Sequence, residues 1–209
     1  MTPDEPHDAV VVGSGAGGAM AAWVLTKAGA TVLMLEAGRD YSPDESPMLN
    51  MAMDAPLRGV GTPDKEFGFY DATVDGGWQM PGEPYTMAEG SEFMWWRSRM
   101  LGGRTNHWAR NSFRMGEYDF KPQTRDGLGV DWPIEYKDLA PFYDRVEKMI
   151  GVYGTNTGLE NHPSSGPGVL QPPPKFRVWE TFLKAGGDAI NIPVVAARRA
   201  ILTKKIDER

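Results

Sequence analysis

A glycine-rich turn near the start of the chain has the spacing of a dinucleotide-binding fingerprint, G-x-G-x-x-G. It consists of six small residues, Gly13, Ser14, Gly15, Ala16, Gly17 and Gly18. In such a turn the first glycine permits a sharp bend, the second lets the backbone approach a pyrophosphate, and the third lets a helix pack closely. The helix that follows would offer its first N–H groups to phosphate oxygens.

A carboxylate follows the glycine turn at the distance that the fingerprint requires. Glu36 stands eighteen residues after Gly18, where it would accept hydrogen bonds from the hydroxyls of an adenosine ribose. A carboxylate at this position disfavours a 2′-phosphate, so NADP is not expected, but the pattern does not separate FAD from NAD. The alternative is a ligand-free glycine turn with an ordinary carboxylate at the end of a strand.

A second glycine motif, LGGRTNHWAR, lies at residues 101–110. The pair Gly102-Gly103 would let the backbone pass close to a flat ligand, and Asn106 and His107 would supply polar contacts. From the residues alone, His107 has a second interpretation, as a hydrogen-bonded packing residue. For a lone histidine we prefer that second interpretation.

Basic residues are concentrated around this second motif. Five arginines and no acidic residue lie between residues 93 and 116, which predicts an anion nearby. For Arg110 and Arg114 we prefer ion pairs and surface solvation. For the remaining three, ion pairing with solvation and contact with a cofactor phosphate or packing at the loop both stay open; they are Arg97, Arg99 and Arg104.

The elements that would position the first motif form a β-α-β unit. An apolar β-branched run over Ala9–Val12 predicts a buried strand, good helix formers predict a helix from Ala16 to about Ala28, and Thr31–Leu35 predicts a second strand. A right-handed crossover would make the two strands parallel. The fold class is therefore α/β, with a Rossmann-like start.

The rest of the chain divides into three predicted sections after the β-α-β unit of residues 1–40. Residues 41–92 form a loop-rich excursion with a short helix near 48–53, 93–116 contain the second motif, and 117–209 are helical and loop-rich. In the last section the periodicity predicts a helix over 135–150, with Pro141 tolerable only in its first turn. A second helix is expected at about Val178–Ile190 and a strand from Pro193 towards Thr203.

Composition excludes several classes of function. The net charge of -6 gives no electrostatic footprint for nucleic acid, and no apolar run is long enough to cross a membrane. The acidic start lacks the layout of a secretory signal, which predicts a cytoplasmic protein. The absence of cysteine excludes a disulfide framework and a thiolate metal site, and no metal site is predicted.

The two motifs together resemble the glucose-methanol-choline family of FAD-dependent oxidoreductases. GSGAGG and LEAG, followed by MLGGRTNHWAR, carry the likeness, which continues through residues 119–154. Within the family the chain is most similar to bacterial glucoside 3-dehydrogenases and pyranose oxidase-like members. The resemblance implies that the chain is one part of a larger two-domain fold. The enzyme with that fold would oxidise a sugar or glycoside alcohol by hydride transfer to flavin.

For the site, the resemblance implies FAD. Gly13, Gly15, Gly18 and Glu36 would hold its ADP end, and Gly102-Gly103 would lie near the isoalloxazine, with Asn106 at the flavin ring or ribityl chain. Some family members bond histidine at the position of His107 covalently to the flavin, whereas others bind FAD without a bond; covalent attachment here is a hypothesis.

No catalytic base is assigned. Of the three histidines, neither His7 nor His162 matches the position of the family's base, and the resemblance places that base beyond Arg209. The chain would then be a fragment that is inactive alone. The family also suggests a small accessory subunit, a cytochrome as electron acceptor, and periplasmic export with a partner as the alternative location.

Two other functions remain open from the sequence. An NAD-binding dehydrogenase domain would use Gly13 to Glu36 but would leave the second motif without a role. A non-catalytic nucleotide-binding module would need to fold stably alone. The co-occurrence of two motifs favours the FAD enzyme.

Overall fold

A computed structural model describes residues 6–38, 40, 86–91, 99–159 and 161–206. The chain divides into two compact units, Met1–Trp108 and Ala109–Arg209. The predicted helix near residues 48–53 lies outside the described residues. In the described ranges, no helix combines the length and apolar character needed to cross a bilayer.

The first unit begins with the predicted β-α-β arrangement. Strand β1 covers Ala9–Val12, helix α1 covers Ala16–Lys27 and strand β2 covers Val32–Leu35. The two strands are parallel, with Ala9 opposite Val32 and Val12 opposite Leu35. The prediction of a Rossmann-like α/β start is thus confirmed, with boundaries within one residue of those expected.

Glycines end the helix and shape the second motif of this unit. Gly29 follows α1 with a φ of 90°, a left-handed conformation that favours glycine. A short 3₁₀ helix covers Gly103–His107, and its N-cap, Gly102, has a φ of 84°. The sequence had identified this segment only as a loop, because the 3₁₀ turn has no hydrophobic period of its own.

The described residues of the second unit form four helices joined by loops. Two short helices, α2 (Glu117–Phe120) and α3 (Pro122–Asp126), precede the long helix α4 (Tyr136–Ile150). Helix α5 covers Val178–Ala189. The predicted helices over 135–150 and 178–190 are confirmed, whereas α2 and α3 are too short to leave a periodic signal.

Two sequence expectations for the second unit are wrong. Pro141 lies in the second turn of α4 rather than the first, so the helix continues through a missing N–H donor. The stretch Pro193–Thr203 forms no strand: Arg199 makes only isolated bridges, to Asn111 and to Tyr153. The backbone there makes a few loop pairings instead of joining a sheet.

The interior of the second unit combines apolar and charged side chains. Phe120 and Val152 are fully buried, and so is Arg198. Arg114 and Glu147 are also buried, at 5% and 4% exposure. Buried charges of this kind require partners: Glu147 pairs with both arginines, and Asp144, also on α4, pairs with Arg114.

Candidate dinucleotide site

The first glycine turn leaves the start of α1 open. Gly13 has a φ of 89° and donates its N–H to the Leu35 carbonyl at 2.7 Å, which extends the strand pairing to the turn. Gly15 is the N-cap of α1, no side chain caps the helix, and its first turn contains no acidic residue. The first N–H groups of a helix have no partner within the helix and carry a partial positive charge. This end of α1 can therefore bind an anion.

The glycines of the turn differ in what surrounds them. A Cβ added at Gly15 would meet no atom of the described residues within 4 Å, so there is open space at this position. A Cβ at Gly18 would overlap the Gly13 carbonyl oxygen and lie 3.2 Å from the Val11 side chain. Gly18 thus permits the close packing of helix and strand, while Gly15 leaves room for a ligand.

Glu36 is held by hydrogen bonds at both carboxylate oxygens. Oε2 accepts the Ser14 hydroxyl at 2.5 Å and the Ser14 N–H at 2.8 Å, and Oε1 accepts the Gly38 N–H at 2.7 Å. These bonds, above all the one from the Ser14 hydroxyl, lower the pKa of Glu36 from 4.5 to about 2. Glu36 is therefore ionised at neutral pH. Its Oε1 accepts fewer of these hydrogen bonds than Oε2 and can accept another.

The second glycine motif lies against the first. The Gly102 N–H donates to Ser14 Oγ at 2.8 Å, although 88 residues separate the two. A Cβ at Gly103 would lie 3.6 Å from the Gly15 Cα, in ordinary contact. The structure therefore places Gly102 and Gly103 beside the first glycine turn, at the start of α1.

Side chains of the 3₁₀ helix stabilise its own turn. The Asn106 amide donates to the carbonyls of Leu101 and Gly103, at 2.8 and 3.1 Å, and the Thr105 hydroxyl donates to the Gly102 carbonyl at 2.6 Å. Asn106 thus has a structural role that the sequence did not predict. His107 is the last residue of this helix.

Sequence reasoning missed Gly38, which also joins the two motifs. A Cβ at this position would overlap the backbone of Arg99 and Met100, and Met100 is buried at 2% exposure. Only glycine allows the segment after Glu36 to pass so close to the segment before Gly102. The signal in the sequence is the glycine of LEAG, residues 35–38.

The arginine-rich segment has one member whose anions belong to the protein itself. Arg114 donates through Nε and Nη2 to Glu147, at 2.9 and 2.6 Å, and through Nη2 to Asp144 at 2.5 Å. Burial lowers the pKa of Arg114, but the hydrogen bonds with Glu147 and Asp144 outweigh it and raise that pKa. The expected ion pairing of Arg114 is correct, and its expected solvation is wrong.

The structure describes some of the other arginines of that segment and not all of them. Arg110 is exposed, with a φ of 62°, and Arg97 lies outside the described residues. Phosphate contact by Arg99 or Arg104 stays a prediction. In the described ranges, no three His, Cys, Asp or Glu side chains stand close enough together to hold a metal ion.

Fold and site together define a Rossmann-like dinucleotide-binding unit. The family model of the NAD(P)-binding Rossmann-like domain matches residues 11–44, which contain the first glycine motif and Glu36. That model covers the β-α-β start and not the second motif.

Comparison with known proteins then finds similarity to several oxidases and dehydrogenases. Paromamine 6′-oxidase of Streptomyces fradiae is 35% identical over 200 residues, which are 94% of this chain and 32% of that relative. The large subunit of fructose dehydrogenase from Gluconobacter japonicus is 32% identical over 164 residues, 76% of this chain and 29% of that subunit. 2-Methyl-1,2-propanediol dehydrogenase of Mycolicibacterium austroafricanum is 31% identical over 188 residues, 81% and 30% of the two chains.

These relatives confirm the resemblance to the glucose-methanol-choline oxidoreductases. The similarity extends along most of the chain, well beyond the β-α-β unit. The chain spans about a third of the length of the curated relatives it matches.

Proposed function

We propose that this chain binds FAD and forms the cofactor-binding part of an oxidoreductase that oxidises a sugar or glycoside alcohol. The observation that carries the proposal is the hydrogen bond from the Gly102 N–H to Ser14 Oγ. It joins a dinucleotide-binding turn to a second glycine motif, and a simple NAD-binding turn has no use for that motif. The names of the relatives support the alcohol chemistry.

The residues present fit the ADP end of FAD. The free space at Gly15 and the uncapped start of α1 suit a pyrophosphate, which accepts hydrogen bonds from backbone N–H groups. Glu36, ionised at neutral pH, would accept a ribose hydroxyl at its less used oxygen, Oε1. Its negative charge would repel the 2′-phosphate of NADP.

The second motif would border the flavin. Gly102 and Gly103 have no side chain to obstruct a flat ring, and Asn106 and Thr105 fix the shape of their turn. His107 is the candidate for a covalent bond to the flavin. When bound, FAD supplies the hydride acceptor, and the protein supplies binding and orientation.

The proton of the substrate hydroxyl needs a base, and none is assigned in this chain. His162 interacts with the Thr157 hydroxyl through Nδ1 at 2.9 Å, and burial, followed by the nearby Arg198 charge, lowers its pKa. It lies in the second unit, on a loop with its own packing role. We propose that the base stands in a part of the protein that corresponds to the two thirds of the relatives' length that this chain does not match.

Partners and location follow from the same proposal. One relative is named as a large subunit, which favours an accessory subunit here. A cytochrome would then accept the electrons. The protein would work in the cytoplasm, or in the periplasm if a partner carries it there.

The test is the visible spectrum of the purified protein, expressed as the complete product of the open reading frame that encodes these residues. We expect a flavin spectrum, and NAD or NADP added in excess should not displace the chromophore. Acid precipitation then shows the linkage: yellow colour in the pellet supports a bond at His107, and colour in the supernatant supports non-covalent FAD. His107→Ala is the control that should release the colour in the first case.

A folded, colourless protein that takes up no added FAD would contradict the proposal. If it bound NAD instead, with the affinity reduced by Glu36→Gln, the NAD-binding domain would replace it. Binding of neither cofactor would leave a non-catalytic module.

A further inference from the structure

Ser14 is a buried polar residue at a position where the fingerprint requires no particular side chain. It stands between Gly13 and Gly15 and is 4% exposed. In G-x-G-x-x-G only the glycines have defined roles. A buried hydroxyl there has to be hydrogen-bonded, and its partners show what it does.

The Ser14 hydroxyl is used in two directions at once. It lies 2.5 Å from Glu36 Oε2 and 2.8 Å from the Gly102 nitrogen. An ionised carboxylate can only accept, and a backbone N–H can only donate. The hydroxyl proton therefore points to Glu36, and a lone pair points to Gly102.

Both partners of this hydroxyl are at working positions of the proposed site. Glu36 would bind the adenosine ribose, while Gly102 begins the turn that would border the flavin. Gly102 has a φ of 84° and is followed by Gly103, where an added Cβ would lie 3.6 Å from the Gly15 Cα. A change in the orientation of one side chain would consequently be felt at both ends of the cofactor.

We propose that Ser14 is a positioning residue that joins the two ends of the FAD site, holding the Glu36 carboxylate and the Gly102 amide in one fixed arrangement. This inference rests on the proposed function. It predicts that Ser14 affects the flavin itself, although the fingerprint turn would contact only the pyrophosphate.

The experiment compares three variants of the complete protein. Ser14→Ala removes the hydroxyl, Glu36→Gln removes the charge at the ribose end, and Thr26→Ala is the matched control. Thr26 is an exposed residue of α1, and among the described residues its hydroxyl donates to the Ala22 and Trp23 carbonyls of the same helix. FAD affinity is measured by titration of the apoprotein, and the flavin reduction potential is measured at saturating FAD.

The expected pattern separates the two ends of the site. Ser14→Ala should weaken FAD binding on the order of tenfold, the effect of losing hydrogen bonds to a charged group, and should also shift the flavin potential. Glu36→Gln should weaken binding to a similar degree and leave the potential unchanged. Thr26→Ala should change neither quantity.

Two results would overturn the inference while leaving the proposed function intact. In the first, Ser14→Ala binds FAD within about twofold of the wild type with an unchanged potential. In the second, it weakens binding but keeps the potential, as Glu36→Gln does, so that Ser14 acts on the ribose end alone. A wild-type protein that takes up no FAD would overturn both proposals together.

Discussion

The carbonyl oxygen of Gly13 lies against the Cα of Gly18, so closely that a Cβ on Gly18 would overlap it. Gly18→Ala should therefore push helix α1 away from β1. We expect the free energy of unfolding to fall by about 1–3 kcal/mol, as in other overpacked sites. FAD binding should weaken as well, because the start of α1 moves.

Gly17 is the matched control for that substitution. It lies one residue earlier in the same helix, and a Cβ there would meet no atom within 4 Å. Gly17→Ala should stabilise the protein by about 0.5–1 kcal/mol, since alanine restricts the unfolded chain. Urea unfolding of both variants checks the pair, and equal losses from the two would refute the packing role of Gly18.

Arg114 anchors the interior of the second unit. Arg114→Leu would remove the hydrogen-bonded cation of Glu147 and Asp144, whose side chains are 5% and 35% exposed, and would leave Glu147 with Arg198 at 3.6 Å. We expect a loss of about 3–5 kcal/mol in the free energy of unfolding, because breaking a buried pair leaves its carboxylates incompletely compensated. Denaturant unfolding followed by fluorescence measures it.

An exposed ion pair on α5 provides the comparison for Arg114. Lys184 and Asp188 pair at 2.8 Å, with side chains 45% and 58% exposed. Lys184→Ala should cost less than about 1 kcal/mol. If Arg114→Leu lowered the free energy of unfolding by as little, the buried ion pairs of Arg114 would not stabilise the second unit.

Glu36 gives the first unit a defined dependence on pH. Its pKa is about 2 in the folded chain and 4.5 ordinarily. The folded state therefore favours the ionised form, so the stability from this group is fully present above pH 4.5 and is lost as the pH falls towards 2. Without added FAD, the wild type should be more stable than Glu36→Gln at pH 6. A gap between the two that stayed constant down to pH 2.5 would contradict this account.

The β-α-β unit could be predicted from sequence because its signals are local. Val12 precedes a glycine cluster, Gly29 ends the helix, and Glu36 follows β2, so each boundary has a residue with a physical reason to be there. The strand expected at Pro193–Thr203 was wrong because a short apolar segment does not by itself supply a neighbouring strand with which to pair.

Interactions between distant residues could not be predicted in the same way. Arg114 and Glu147 are 33 residues apart, and no local pattern marks them as partners. The contact between Ser14 and Gly102 spans 88 residues, and only the family resemblance suggested that the two motifs share a ligand. Hydrogen-bond direction and burial at such contacts depend on the completed fold.

Asn106 tests whether the shape of the second motif depends on its own side chains. Its amide donates to the Leu101 and Gly103 carbonyls, and a Cβ on Gly102 would lie 3.0 Å from that amide nitrogen. Asn106→Asp has the same shape but cannot donate, and it would set a negative charge against two carbonyl oxygens.

We therefore expect Asn106→Asp to weaken FAD binding by about tenfold or more, since two hydrogen bonds turn into repulsive contacts. The matched control is Thr124→Val, which removes an exposed hydroxyl that bonds to Asp131 in the second unit; this variant should bind FAD like the wild type. Titration of apoprotein with FAD measures both. If Asn106→Asp bound FAD normally, the turn would be held by its backbone and the Thr105 hydroxyl, and the amide of Asn106 would have no role in shaping the site.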